Sequence, residues 1–151
     1  MTIVNTDYPA VIVFGITKVL TDEQIKALPT TPVQILPAPG ANKICWVIGS
    51  YAHFKSSGAY ANFGLPSHLN VGPASPADAF CSQQADIILS VASNVNSPLL
   101  PAGPNGTADA DVVNKPITIY VDNGGAGVFT GGNAANALSV TVLYTIIDVQ
   151  P

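Results

Sequence analysis

The sequence predicts an all-β protein, a two-sheet antiparallel β-sandwich of about eight strands, with a jelly roll as the first choice of topology and an immunoglobulin-like sandwich as the second. Three observations predict it. Short runs rich in Val, Ile, Tyr, Phe and Thr recur along the 151 residues, and these residues suit a pleated, half-buried surface. Thirteen Gly and thirteen Pro punctuate them, which leaves no room for a long helix or a domain linker. One short helix pattern stands among the strands, with no strand–helix alternation and no internal repeat.

In chain order, the first apolar run is Ala10–Val19, "AVIVFGITKV". It leads into "LTDEQIKALPTTP", the one helix signal, expected over residues 22–28. Thr21 is placed as N-cap with Gln24 three residues on, the capping-box spacing. Asp22 and Glu23 occupy the first turn, where the helix dipole favours acids. Ile25 and Leu28 form a small apolar face, and Pro29 and Pro32 stop the helix. Strands are then expected at Val33–Ala38, Lys43–Lys55, Ala59–Gly64, His68–Val71, Ala85–Ser93 and Ile117–Asp122, with a weaker one at Val128–Thr130. The stretch Asn94–Pro116, rich in Pro, Gly and Asn, reads as mostly loop. Trp46, in "ICWVI", is expected in the core.

The last run, Ala137–Val149, is the most legible. Leu138, Val140, Val142, Tyr144 and Ile146 fall on one face and Ser139, Thr141, Leu143, Thr145, Ile147 and Val149 on the other. Its first half alternates apolar with polar; its second half is apolar on both faces. That pattern fits either a sandwich interior or a subunit interface.

Apolar residues make up 48% of the chain and charged residues only 9%, against about 25% in an ordinary globular protein. The cations are five Lys without an Arg, and the net charge is −4. This excludes an electrostatic nucleic-acid binder, which needs a basic patch to neutralise phosphates. A surface of Ser, Thr, Asn, Gln, Gly, Pro and Ala loses water at little cost and carries little charge to keep copies apart, a hint of an oligomer. No apolar run reaches the roughly 18 residues of a membrane-spanning helix. The first residues lack a basic segment and are interrupted by Asn5, Asp7 and Pro9, so no secretory signal is expected and assembly in a cytoplasm is. Cys45 and Cys81 are then read as reduced, buried thiols, with a disulfide left open.

The segment "VDNGGAGVFTGGNAAN", Val121–Asn136, leaves a strand with five glycines in sixteen residues and so raises the question of a phosphate loop. The dinucleotide fingerprint requires a helix directly afterwards, because the helix N-terminus holds the pyrophosphate. Here another pair of glycines and then a strand pattern follow, and no Lys stands where a P-loop needs one. "DNGG" is instead a tight-turn signal, with Asn123 and Gly124 suited to positive φ, and Gly131–Gly132 a second corner. His53, His68, Cys45 and Cys81 share no metal-binding spacing. Asp109 and Asp111 lack the further oxygens of a calcium loop. Asn105 heads a glycosylation triplet read as chance. No G-x-S-x-G and no acid–His spacing occurs, so the chain is read as a non-enzyme without cofactor or metal.

Two blocks, "TDEQIKALPTTPVQILPAPGANK" (Thr21–Lys43) and "NKPITIYVDNGGAGVFTGGNAANALSVTVLYTIID" (Asn114–Asp148), resemble small structural proteins of tailed bacteriophages. The nearest family is that of the jelly-roll capsid decoration, or cement, proteins. The resemblance implies a homotrimer on the outer surface of the phage head, with the major capsid protein as partner and neither nucleic acid nor membrane bound. It carries no catalytic residues. The corresponding domain reading is an N-terminal arm at 1–8 and one β-sandwich at 9–151. Contacts are expected from Ile3, Val4, Tyr8, Val11, Ile12, Val13 and Phe14 early in the chain, and from Leu99 and Leu100. The alternative is a tail-fibre or baseplate domain whose "SYAHF" and "GAYANF" segments line a receptor site. A sandwich-fold hydrolase or metalloprotein stands behind it.

Overall fold

β-Branched and aromatic runs do form the framework. The computed structural model describes residues 12–73, 79–102 and 112–149; the proposed arm at 1–8, Val11, Asn105 and the Asp109–Asp111 pair lie outside these. In chain order the elements are β1 (Phe14–Thr21), α1 (Asp22–Ala27), β2 (Val33–Leu36), β3 (Lys43–Lys55), β4 (Tyr60–Ala61) and β5 (His68–Gly72). They continue with β6 (Cys81–Gln84), α2 (Ala85–Leu89), β7 (Val95–Pro101), β8 (Ile117–Asp122), β9 (Thr130–Gly131) and β10 (Ala137–Asp148).

Eight strands make one sheet in the order β1-β10-β3-β7-β6-β5-β8-β2, and every pairing in it is antiparallel. Its two edge strands, β1 and β2, come into contact, so the sheet is nearly barrel-shaped. β4 and β9 form a separate two-stranded sheet. The chain is therefore mostly antiparallel β, as its composition predicts.

Alternation sets which side chains enter. Opposite one another on β1, β10 and β3, Leu20, Leu138 and Phe54 are all fully buried. Val140 and Ala52 form the next buried pair. From the other half of the sheet Leu69, Val71, Ile117 and Ile119 meet them, and Ile25 and Leu28 of α1 close one end. α1 begins as its sequence dictates. The Gln24 N–H donates to Thr21 Oγ1 at 3.4 Å and the Thr21 N–H donates to Gln24 Oε1 at 3.1 Å, the reciprocal bonds of a capping box.

Three expectations are corrected. Ala85–Ser93, expected as a strand, starts with the helix α2. Ala85, Ile88 and Leu89, at i, i+3 and i+4, are fully buried while Ile87 faces out, which is a helical period hidden among β-formers. Residues 95–101, expected as loop, are β7. The strand changes partner midway, pairing with β3 over Val95–Leu99 and with β6 over Leu100–Pro101. Pro98 and Pro101 thus each have a side with no ladder neighbour, where a missing N–H costs little. Trp46, expected in the core, is 40% exposed, because Cys45 and Val47 take the inward positions on either side of it. Its ring rests edge-on against buried Phe80, centroids 5.2 Å apart.

Cys45 and Cys81 are both buried and unbonded to each other. Burial raises both thiol pKa values, that of Cys81 to about 11. Neither should react with a water-soluble disulfide reagent in the native state, and both should react after unfolding; thiol titration in the presence and absence of denaturant checks this. Phe54→Ala should lower the unfolding free energy by about 3–5 kcal/mol, read from urea denaturation.

Candidate interaction surface

Two parts of the molecule compete as a functional site: the glycine-rich loop and the far end of the β1-β10-β3 ladder.

The loop between β8 and β10 is occupied with structural bonds. Gly124, Gly125, Gly127, Gly131 and Gly132 all have φ between +54° and +82°. Asn123, expected to share the turn, is instead 4% exposed and is the hub of the loop. The Gly64 N–H and the Ser67 hydroxyl donate to its Oδ1 at 2.8 and 3.0 Å. Its Nδ2 donates to the Asn62 and Gly127 carbonyls at 3.0 and 2.7 Å. A buried amide with both its oxygen and its nitrogen engaged has nothing left for a ligand. Asn136 does the same for the opposite loop, accepting from the Ser57 N–H at 2.6 Å and donating to the Gly58 carbonyl at 2.7 Å.

Gly132 shows why a side chain is barred there. Besides its φ of +72°, a Cβ would run into the Tyr60 ring and come within 2.7 Å of Asp22 Oδ1. This close approach lets Tyr60 reach across. Its hydroxyl donates to Asp22 Oδ1 at 2.7 Å while Lys26 Nζ donates to Oδ2, also at 2.7 Å. Burial pushes the Asp22 carboxyl upward, but the bonds from Lys26 and Tyr60, the Lys26 charge and the Asn133 N–H outweigh it, so its pKa falls below the ordinary value. Burial first, then the bond to Asp22 and its negative charge, push the Tyr60 phenol well above the usual range. Below the ring lies an aromatic chain, Phe54–Tyr60–Phe129–Phe63, with successive centroids 5.8, 6.3 and 4.8 Å apart. The loop is therefore a latch that fastens α1, β4 and β9 together.

The ladder end is different. Beyond Leu143 a bulge puts Ile48 out of register, so that Leu143 faces Gly49 and Tyr144 faces Val47. From there Tyr144 stacks on Phe14 at 5.4 Å, and Ile146 and Ile147 are 44% and 41% exposed. Ile12, Val13, Phe14, Trp46, Ile48 and Leu143 are exposed too. The apolar-on-both-faces pattern of the second half of β10 thus falls, among the described residues, on exposed side chains and not in the interior. Charges are few there: Lys43 and Asp148 face each other at 3.7 Å across the ladder.

The structure separates the expected contact residues. Ile12, Val13 and Phe14 sit at this end. Leu100 is 58% exposed on β7, remote from them in the sheet order. Leu99 is corrected: at 2% exposure, opposite Ser50, its side chain belongs to the core and is out of a partner's reach. Ile3, Val4, Tyr8 and Val11 lie outside the described residues. Trp46, Ile48, Leu143, Ile146 and Ile147 were not singled out from sequence as contacts. The only available signal was the doubly apolar half of β10.

"SYAHF" and "GAYANF" do not form one surface. Tyr51 is exposed and His53 half-buried, but Phe54 and Tyr60 are in the core. Among the described residues no three His, Cys, Asp or Glu gather into a metal-binding group, and no helix is long and apolar enough to cross a membrane. No known protein-family model and no curated protein sequence matches the chain.

Because the folded pKa of Asp22 is depressed, its stabilising contribution is present above the unfolded value near 3.8 and is lost as pH falls through the folded one. Thermal stability should therefore drop on acidification below about pH 4. Asp22→Asn should lower the melting temperature at neutral pH and flatten that acid limb, as followed by circular dichroism.

Proposed function

We propose that this protein is a structural component of a tailed-phage virion, a jelly-roll capsid decoration protein. In this reading it sits as a trimer on the outside of the head and stabilises contacts between capsomers of the major capsid protein. The observation that carries it is the uncovered end of the β1-β10-β3 ladder, apolar on both faces and almost without charge. Such a surface fits a protein partner and suits neither a small substrate nor a nucleic acid.

The strand pairing supports the jelly-roll part. With the two short strands β4 and β9 set aside, the eight remaining strands pair first with last (β1–β10), second with seventh (β2–β8), third with sixth (β3–β7) and fourth with fifth (β5–β6). A single long hairpin ribbon, rolled up so that its strands also meet side by side, would give this pairing, which is how the eight-stranded double Greek key of a jelly roll is built. The blocks that resemble phage structural proteins, Thr21–Lys43 and Asn114–Asp148, contain β2, β8 and β10 of that ribbon.

The mechanism is mass action. A subunit that binds the assembled shell and not its separated parts stabilises the shell by its binding free energy. A trimer at a threefold position repeats each contact three times, so weak individual contacts sum to firm attachment. The alternative, a tail-fibre or baseplate receptor-binding domain, has less support because half of its expected aromatic cluster is buried.

Electron microscopy of particles labelled with an antibody against this chain tests the reading. Label over the outer surface of the head, with heads that lose the chain rupturing at lower temperature, is the expected result. Label confined to the tail, or absent from the particle, would sink it.

A further inference from the structure

Where β1 stops short, part of the β10 edge is left open among the described residues. β3 pairs with β10 along its whole length, from Ala137 to Asp148. β1 covers the other side only from Ala137 to Tyr144, where Phe14 begins the pairing. Among the described residues, Thr145–Asp148 therefore has a strand on one side and none on the other. Val13 and Ile12, the next residues that would extend β1 along it, are not in a strand and are 52% and 65% exposed. Natural sheets blunt such edges with lysines, prolines or very short strands. The two edge strands of the sheet follow that practice. β1 carries Lys18 opposite buried Val140, and β2 is four residues long. Thr145–Asp148 has no such guard. It bears Ile146 and Ile147, and its one acid, Asp148, faces Lys43.

The geometry points to this edge as a strand-addition site for a second copy of the chain. The donor is the neighbour's N-terminal stretch, which adds an extended strand alongside Thr145–Asp148 and covers Phe14, Trp46, Ile146 and Ile147. Four things select that occupant. The eleven residues before Ile12 include Ile3, Val4, Tyr8 and Val11, apolar side chains for an apolar bed. Extended at about 3.3 Å per residue they reach roughly 36 Å, about one domain diameter. The chain's own Val13 and Ile12, the next residues before β1, take no part in the ladder beside Thr145 and Ile146. Lys43 and Asp148 pair across the ladder, so the edge itself carries little net charge, and the donor stretch has a single acid, Asp7. Main-chain bonds of this kind give affinity while alternate side chains give register. The inference deepens the self-association part of the decoration reading and stands apart from its capsid part.

Light scattering on the eluting full-length protein, the double variant Ile146→Lys/Ile147→Lys and a chain lacking residues 1–8 is the first test, with circular dichroism to confirm folding. The wild type should run at a multiple of 15.5 kDa and both variants as folded monomers. A wild type that is monomeric, or variants that stay assembled, would overturn the proposal. Cross-linking settles the donor. Light and heavy isotope-labelled Thr2→Lys protein is mixed, dissociated, reassembled and joined by an amine-reactive reagent. Light-to-heavy links between Lys43 and the new lysine support exchange, whereas links within one copy only refute it. A monomer that still decorates heads would end this inference and leave the capsid role standing; an assembled protein that ignores heads would do the reverse.

Discussion

The ladder between β3 and β10 is the constraint on which the rest of the molecule hangs. These are the longest strands, thirteen and twelve residues, and they hold the middle of the chain against its end. Every other element is referred to them. β1 can bury Leu20 only because β10 offers Leu138 beside it, and β7 reaches β6 only after running along β3. The single bulge at Ile48 marks where the ladder changes role. On one side of it alternate residues of both strands fill the core; on the other, Cys45 and Val47 of β3 stay buried while Ile146 and Ile147 of β10 are exposed.

How much of this could be read beforehand depends on the physical clarity of each signal. Lys43–Lys55 and Ile117–Asp122 were legible to the residue, because both are bounded by turn-forming residues and dense in β-formers. The helix start at Thr21 was legible because capping chemistry is local. β7 was hidden by Pro98 and Pro101, whose cost depends on which neighbours flank the strand, and sequence carries no record of that. The helix at Ala85–Leu89 was hidden because Ile and Leu serve both structures, and only burial of Ala85, Ile88 and Leu89 together reveals its period. Trp46 was assigned inward on hydrophobicity alone; its neighbours Cys45 and Val47 had already claimed that face.

The candidate contact surface was half legible. The doubly apolar end of β10 was visible as a choice between interior and interface, and its exposure rules out the interior. The glycine-rich loop went the other way, from a suspected ligand site to a set of bonds with no free partner. Asn123 could not have been singled out as its hub, since an Asn before two glycines reads first as a turn residue. What binds the loop is contact with Asn62, Gly64 and Ser67, some sixty residues earlier.

Pairing the first strand with the last has a consequence in time. Thr17 meets Thr141 across 124 positions of chain. At a synthesis rate of about 5–20 residues per second, β1 waits roughly 6–25 s for β10 to be made. Throughout that interval its inward residues Ile16 and Leu20 have no sheet to enter, and contacts so distant in sequence form slowly in any case. The nascent chain therefore passes through a stage in which a hydrophobic segment must be kept from other chains. Wherever many copies are made at once they meet that stage together, and the yield of folded protein is set as much by this delay as by the stability of the finished fold.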